Sequence, residues 1–271
     1  GLIDMTLKTT QQETEMVAEQ LYLKPSMHIL ATRILGIAKE GALKVREIVL
    51  NHTEGFEGSE FKHGPNTILG LNSIFGLDSI GELMTRLEEV LNFVLEHKKG
   101  EPLKPRGVLR MFKAISEYAF KDLKPTYLSN EEKEIFDEVF KNFNIFGSLY
   151  DNYPLVFITT PRERDINLTI SQINTHKIRG ANVYLIAEDN NDLREAVSVT
   201  PSSAFPYKYG YIVIPKTGSK IISIFAITVV LQMLAFRMSL KKMQFMDRLE
   251  IANHGVHPDV PKNVSKSITV D

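Results

Sequence analysis

The sequence contains no cysteine and no tryptophan, and neither sign of charge dominates it. Without cysteine, the 271 residues can form no disulfide, thiolate metal site or cysteine nucleophile. The absence of cysteine fits a reducing compartment, and we expect a cytoplasmic protein. The 32 basic and 33 acidic residues give a net charge of −1, so no overall field attracts nucleic acid or an anionic membrane. We expect neither as a partner, and an anionic ligand has to be held by local charges.

Long apolar runs are also scarce. The longest covers residues 221–236, about 16 residues, which is shorter than the roughly 20 needed to span a bilayer. It also contains Ser223, Thr228 and Gln232, and we interpret it as a buried helix. With 43% hydrophobic residues, the 271-residue chain has enough apolar material for one large domain or two small ones.

Short apolar runs alternate with helical patterns in two parts of the chain. The run 27–32 lies between Pro25 and Arg33, suits a strand buried on both faces, and is followed by a helical pattern over 35–51. Similar patterns predict further strands and helices at 154–159, 165–179, 182–187 and 209–215, and a long helix that opens at 218–219. This alternation predicts an α/β fold with a doubly wound parallel sheet.

The middle of the chain has a different character. Amphipathic helical patterns cover 80–96, 108–120 and 131–143, with proline and glycine between them and no catalytic signature. Ser129 or Asn130 is expected to cap the third helix. The pattern predicts a helical subdomain, and its role stays open between an interface, a regulatory element and an addition without function.

Most of the polar chemistry lies in residues 40–65. Glu40, Lys44 and Glu47 fall on one face of the predicted helix, which places an acid, a base and an acid within two turns. Gly64 and Pro65 end any helix and leave His63 on a turn. Spacing alone does not separate a catalytic set from surface ion pairs worth about 0.2–0.5 kcal/mol each, nor His63 from an ordinary loop histidine.

Two motifs resemble one enzyme family. E-G-A-L-K-x-x-E followed by E-F-K-H-G-P in residues 40–65, and D-V-P-K-N-V-S-K-S-I-T-V-D at 259–271, resemble the isomerase half of the glutamine:fructose-6-phosphate aminotransferases. The resemblance implies the second of two tandem sugar-isomerase (SIS) domains and the terminal tail. It implies this division of the chain: SIS domain 1–70 and 153–253, helical insertion 71–152, and extended catalytic tail 254–271.

The resemblance also implies roles for the charged residues of the first motif. Glu47 matches the carboxylate that moves a proton between C1 and C2 of the sugar, and Lys44 matches a lysine that polarises a hydroxyl. His63 matches the histidine that assists ring opening and reaches the site across a dimer interface. Glu40 is expected to bind substrate, and the family chemistry implies no cofactor and no metal ion.

In the tail, Lys266 matches the lysine that forms an imine with the open sugar, and Ser265 is expected to contact substrate. Lys262 stands where the family has arginine, so a planar bidentate donor is lost there. The turn at 31–34 departs from the G-R-G of the family and carries no role over.

The family's phosphate-binding S-x-S-x-x-T loop is absent, and residues 159–164 are a poor substitute. We therefore expect an upstream phosphate-binding SIS half and a glutaminase domain as partners, with fructose 6-phosphate or glucosamine 6-phosphate as ligand. Two alternatives remain open. One is a non-catalytic SIS sensor of sugar phosphates, and the other is an aldose–ketose phosphate isomerase that uses no ammonia.

Overall fold

The computed structural model describes residues 1–69, 77–96, 105–142, 151–202 and 206–259. The chain divides into two compact units, Gly1–Leu77 with Asp151–Asp271, and Asp78–Tyr150. The predicted residues Ser265 and Lys266 lie outside the described residues. The division of the chain into an SIS domain, an insertion and a tail stays a prediction.

The first unit is built on a sheet of five parallel strands in the order β2-β1-β3-β4-β5. The strands are β1 Ser26–Ala31, β2 His52–Glu57, β3 Tyr153–Ile158, β4 Ala181–Glu188 and β5 Tyr209–Ile214. The chain leaves β1 toward β2 on one side and later returns to β3 on the other, so the direction of winding reverses between β1 and β3. The predicted α/β fold with a doubly wound parallel sheet is confirmed.

Helices cover both faces of this sheet. The helices of the unit are α1 Leu2–Thr9, α2 Gln11–Leu21, α3 Leu35–Ile48, α4 Gly58–Phe61, α8 Glu163–Lys177, α9 Asn191–Ser198 and α10 Lys220–Arg248, with a 3-10 turn at Pro65–Ile68. Alternate strand residues point to opposite faces, so Ile29 and Ile158 pack with α2, α3 and α10, whereas Leu30 and Phe157 pack with α4, α8 and α9. The sheet is therefore buried on both sides.

The described part of the second unit contains three helices, α5 Leu77–Glu96, α6 Pro105–Lys121 and α7 Asn130–Asn142. Their apolar faces share a small core that includes Val90, Met111 and Phe136. Ser129 accepts a hydrogen bond from the Glu132 N–H, and Glu132 accepts one from the Ser129 N–H, which is a capping box. The predicted helices and the predicted serine cap are both present.

Several elements were not predicted from the sequence: β2, α1, α9, α4 and the 3-10 turn at Pro65–Ile68. The strand β2 is an edge strand in which only Thr53 is fully buried, so its sequence H-T-E-G-F-E shows no clear apolar pattern. The short helices α1 and α9 carry polar residues at four and five of their eight positions. The predicted helix 35–51 ends earlier, at Ile48, and Leu50 adopts a left-handed backbone with φ of 61°.

The long helix α10 is buried along one face only. Ser219 caps its start by accepting from the Ile222 N–H, and nine of its residues are buried. Among the described residues, α10 is the one helix long and apolar enough to cross a membrane, with mean hydropathy 2.1, but core helices of soluble proteins pass the same test. The predicted buried helix is present, and 44% of that window is buried against the protein, so its burial is one-sided.

The backbone of α3 lies directly against β2 at Gly55. A Cβ atom at this position would lie 2.5 Å from the carbonyl carbon of Ala38 and 2.5 Å from the backbone nitrogen of Lys39. Both obstacles are main-chain atoms, which cannot rotate away as a side chain does. Glycine is therefore required here by the close approach of two backbones.

We predict that Gly55→Ala destabilises the protein by about 1–3 kcal/mol, because α3 has to move away from the sheet. Chemical denaturation followed by circular dichroism measures the change. Gly36→Ala in α3 is the matched control, because a Cβ there meets nothing within 4 Å. Equal stability of the two variants would contradict the close approach.

Two histidines are buried in the α8 side of the core. His28 is 6% exposed and bonds Tyr153 through Nδ1 at 2.8 Å, and burial lowers its pKa to about 4, with Glu54 opposing and His52 adding to the shift. His176 is fully buried, both ring nitrogens lack a hydrogen bond, and burial lowers its pKa to about 4, helped by Lys62 and Arg179. Both imidazoles are neutral in the folded protein at pH 7.

We predict that the free energy of unfolding falls as the pH drops from about 6.5 to about 4. In this window the unfolded chain takes up protons on His28 and His176 that the folded chain does not, so stability is complete above pH 6.5 and is lost below it. Shifts of this size correspond to roughly 3 kcal/mol for each buried histidine. Urea unfolding at pH 7 and pH 5 measures the slope.

His176→Leu should flatten this pH dependence, because leucine has a similar volume and no proton to gain. An unchanged slope in the His176 variant would show that another group controls the acid lability.

Candidate active site

Helix α3 carries the charged residues singled out in the sequence. Lys44 donates a hydrogen bond to Glu47 Oε2 at 3.0 Å, and its Nζ lies 3.7 Å from Glu40 Oε1. The three side chains are between one fifth and two fifths exposed. The predicted face is therefore formed, with one ammonium held between two carboxylates.

This arrangement fixes the charge of Lys44. Its pKa is raised, first by the hydrogen bond to Glu47 and then by the charge of Glu40, while partial burial opposes the shift. At neutral pH Lys44 is therefore a cation that can donate hydrogen bonds, and it is unsuited to attack a carbonyl. The polarising role expected for Lys44 stays a prediction.

His63 occupies an exposed turn between α4 and the 3-10 segment. Its backbone N–H donates to the Glu60 carbonyl at 3.0 Å, and its side chain is presented to solvent. Within the described residues, no hydrogen bond or ion pair joins His63 to Lys44, Glu40 or Glu47. The structure therefore brings together three of the predicted site residues and leaves the histidine apart from them.

A cluster at the carboxyl edge of the sheet escaped the sequence analysis. Arg33 follows β1 with a left-handed backbone, φ 62°, and its N–H donates to both carboxylate oxygens of Glu57 at 2.9 and 3.1 Å. Its Nε lies 3.6 Å from the buried Asp165, which accepts a hydrogen bond from Thr160 at 2.6 Å. These residues meet where the winding of the sheet reverses, the usual ligand position in open α/β sheets.

The surroundings of Glu57 in this cluster shift its pKa. Burial raises the pKa of Glu57, and Glu60 and Asp165 add to the shift, while the Arg33 N–H opposes it. A non-glycine residue at positive φ costs free energy and persists only where its surroundings hold it, here through Glu57. No motif links residues that are 24 and 132 positions from Arg33, so only the fold could reveal this contact.

The threonines at this edge offer little to a phosphate. Thr160 donates to Asp165, and the hydroxyls of Thr32 and Thr169 bond each other at 2.7 Å. Thr159 is 1% exposed, so its hydroxyl is shielded from any ligand in solvent. This agrees with the sequence-based view that residues 159–164 do not replace a phosphate loop.

A cleft of about 400 Å³ lies between α3 and β2. Lys39 and Arg46 line it on one side, and Glu54, Phe56 and Glu60 line it on the other. The residues that line it include none of Glu40, Lys44 and Glu47, which occupy a different face of α3. Among the described residues, no group of three histidines, cysteines or carboxylates is arranged to hold a metal ion.

Comparison with known proteins gives a consistent result over part of the chain. No protein-family model matches it. A glutamine–fructose-6-phosphate aminotransferase from Aquifex aeolicus is 39% identical over 98 residues, which cover 34% of this chain and 16% of the relative. The enzyme of the same name from Sulfurisphaera tokodaii is 31% identical over 87 residues, 32% of this chain and 15% of the relative.

The chain is similar to the glutamine–fructose-6-phosphate aminotransferases. It spans less than a fifth of the length of these curated relatives. Among solved structures, the C-terminal domain of the glucosamine-fructose-6-phosphate aminotransferase of Francisella tularensis matches 89% of this chain and 42% of its own, with 15% identity and a TM-score of 0.47. Tagatose-6-phosphate ketose/aldose isomerase of Escherichia coli matches with 12% identity, a TM-score of 0.41, and coverage of 97% and 48%.

The contact between Lys44 and Glu47 gives a direct test of the charged face. We predict that Lys44 reacts with acetic anhydride several-fold faster in the Glu47→Gln variant than in the wild type, because loss of the carboxylate lowers the pKa of Lys44. Mass spectrometry of peptides after limited labelling measures the rate.

Lys39 serves as the internal control, since it is exposed on a different face of the same helix. Its labelling rate should be the same in both proteins. A Lys44 rate that does not respond to Glu47→Gln would show that the hydrogen bond does not form in solution.

Proposed function

We propose that this chain is the isomerase portion of an aminotransferase that makes glucosamine 6-phosphate from fructose 6-phosphate and ammonia derived from glutamine. The observation that carries the proposal is Lys44 held between Glu40 and Glu47 on an exposed face of α3. This triad lies in the motif that resembles the aminotransferases, and the sequence similarity to those enzymes supports the same reading.

The reaction requires ring opening, carbonyl activation and a proton shift between neighbouring carbons. In the proposal, the Lys266 amine attacks the C2 carbonyl of the open sugar, water leaves, and ammonia then displaces the lysine from the imine. Glu47 removes a proton from C1 and returns it at C2, while Lys44 polarises a neighbouring hydroxyl. Transfer of this proton converts the ketose skeleton into an amino aldose without any redox change.

The remaining roles complete the proposed site. His63 assists ring opening from a second copy of the chain, so that two copies share their sites. Its exposed position on a turn, apart from the triad, supports such a role. Glu40 and Ser265 contact the sugar, and the tail covers the imine and excludes the water that would hydrolyse it.

The proposal assigns this chain an incomplete site. Residues 159–164 offer no phosphate loop, so an upstream SIS half has to hold the sugar phosphate, and a glutaminase domain has to supply ammonia. We propose a cytoplasmic enzyme in which residues 71–152 form an insertion within the second SIS domain. The chain alone is expected to show no turnover of fructose 6-phosphate with ammonia.

Trapping of the imine tests the proposal. We predict that sodium borohydride, added to the chain, a phosphate-binding SIS half and fructose 6-phosphate, attaches the sugar covalently to Lys266. Peptide mapping by mass spectrometry locates the adduct. Lys266→Ala should abolish it, whereas Lys262→Ala, which removes a nearby lysine of the same tail, should retain it.

Glu47→Gln separates the two chemical steps. The variant should still give the Lys266 adduct, because imine formation does not use Glu47, but should lose exchange of the C1 proton with solvent by at least 100-fold. If sugar binds and no adduct forms on Lys266, the catalytic proposal fails. Formation of product without ammonia would instead identify a plain aldose–ketose isomerase.

A further inference from the structure

The cleft between α3 and β2 carries opposite charges on its two walls. The wall on α3 contains Lys39 and Arg46, and the wall on β2 and α4 contains Glu54 and Glu60. Three of these side chains are exposed, and Glu54 is half-buried. A cleft with cations along one wall and carboxylates along the other is complementary to a ligand that itself carries both charges.

Most of these charges have no partner in the protein. Within the described residues, the side chains of Lys39, Arg46 and Glu60 make no hydrogen bond and no ion pair. Glu54 lies 3.6 Å from the exposed His52, measured from Oε1 to Nε2. Because an ion pair needs a nitrogen–oxygen distance of about 4 Å or less, the two walls stand too far apart to pair with each other. The gap is open to a molecule that reaches both walls.

Phe56 gives the cleft an apolar surface beside its charges, together with Leu35 and Ala42. The ring centroid of Phe56 lies 5.5 Å from that of His28 and 6.1 Å from that of Phe61, so neighbouring rings hold it in place. A fixed aromatic ring is a surface on which the carbon skeleton of a small ligand packs. The cleft volume of about 400 Å³ lies in the range of about 300–1,000 Å³ that small-molecule sites occupy.

The cleft lies on a different face of α3 from the triad. The α3 residues that line it follow one another at spacings of three or four positions, which makes them one stripe of the helix: Leu35, Lys39, Ala42 and Arg46. Glu40 and Glu47 each come one position after a residue of this stripe, and one position turns an α-helix by about 100°. The triad therefore faces a different direction and stays open when the cleft is occupied.

Gly55 also lines the cleft and sets the spacing of its walls. At this residue the backbone of β2 lies directly against the backbone of α3, since a Cβ atom would come within 2.5 Å of the Ala38 carbonyl carbon. The two walls are therefore carried by elements in main-chain contact, which cannot slide past each other freely. A site formed in advance in this way spends little free energy on ordering when a ligand binds.

We propose that this cleft binds a small molecule with an ammonium group at one end and a phosphate or carboxylate group at the other. Lys39 and Arg46 donate charge-assisted hydrogen bonds to the anionic group. Glu54 and Glu60 accept hydrogen bonds from the ammonium group, and the carbon skeleton packs on Phe56. The ligand is bound without any change to its covalent bonds.

The proposed function involves two molecules of this chemical class. One is its product, glucosamine 6-phosphate, and the other is its source of ammonia, glutamine. The choice of these two probes rests on the proposed function, whereas the charges and the volume of the cleft do not depend on it. Because two cations line the α3 wall, we expect the doubly charged phosphate to bind more tightly than the singly charged carboxylate.

Isothermal titration calorimetry of the full chain tests the inference. We expect one molecule of glucosamine 6-phosphate to bind per chain. N-acetylglucosamine 6-phosphate keeps the phosphate and lacks the ammonium group, glucosamine lacks the phosphate, and each should bind about ten-fold more weakly. Glutamine is titrated in parallel, and tighter binding of glutamine at the same residues would assign the cleft to an amino acid.

Variants of the two walls locate the ligand. Arg46→Gln should weaken binding of glucosamine 6-phosphate about ten-fold. Glu60→Gln should weaken it similarly but leave the affinity for N-acetylglucosamine 6-phosphate unchanged, because that ligand has no ammonium group to lose. Arg179→Gln is the matched control, since Arg179 is also exposed and does not line the cleft, and Glu47→Gln should bind as the wild type does. Circular dichroism shows whether each variant is folded.

Three outcomes would overturn the inference. They are a chain that binds neither glucosamine 6-phosphate nor glutamine, equal affinity for the amino and the N-acetyl sugar phosphate, and binding that is lost in Glu47→Gln but kept in Glu60→Gln. The last outcome places the ligand at the triad instead. Glu60→Gln should still form the borohydride adduct on Lys266, so failure of the cleft and failure of the proposed chemistry can be told apart.

Discussion

The position of α3 on the sheet is the constraint on which the candidate site depends. At Gly55 its backbone approaches β2 so closely that a single methyl group would collide with main-chain atoms. At its far end, Ser239 and Lys242 of α10 donate to the Ile48 and Val49 carbonyls, which the helix itself leaves unpaired. The helix is thus fixed between the sheet edge and α10, and the charged face that it carries is fixed with it.

Fixing α3 matters because its charged face has little support of its own. Exposed ion pairs at helical spacing contribute only a few tenths of a kcal/mol, so the contacts of Lys44 with Glu40 and Glu47 could not hold a helix in place. The core does this instead, and the ion pairs set the charge state of Lys44. Different contacts therefore set the position of α3 and the charge of Lys44. The close approach at Gly55 and the hydrogen bonds from α10 hold the helix in place, whereas Glu40 and Glu47 keep Lys44 protonated.

Two kinds of element could be predicted from the sequence. They are strands that are buried on both faces and helices whose apolar residues recur with the helical period. Strands β1, β3 and β4 are covered on both faces and therefore read as apolar runs, and the amphipathic helices α5 to α7 show a clear period. Edge strand β2 was missed because half of its environment is solvent. The triad was found because it lies on one helix, whereas the contact of Arg33 with Glu57 and Asp165 joins the ends of β1 and β2 to the first turn of α8 and leaves no trace in local sequence.

The sequence predicted that α10 is a buried helix but not that one of its faces is exposed. Its sequence is apolar on all sides, and a helix of that kind is expected to be buried on all sides. In the first unit the sheet and three helices cover one face of α10 and leave Ile221, Phe225 and Phe236 exposed on the other. A sequence shows which residues of a helix are apolar but not how much of the helix surface the rest of the fold covers, so the one-sided burial of α10 could be learned only from the packing.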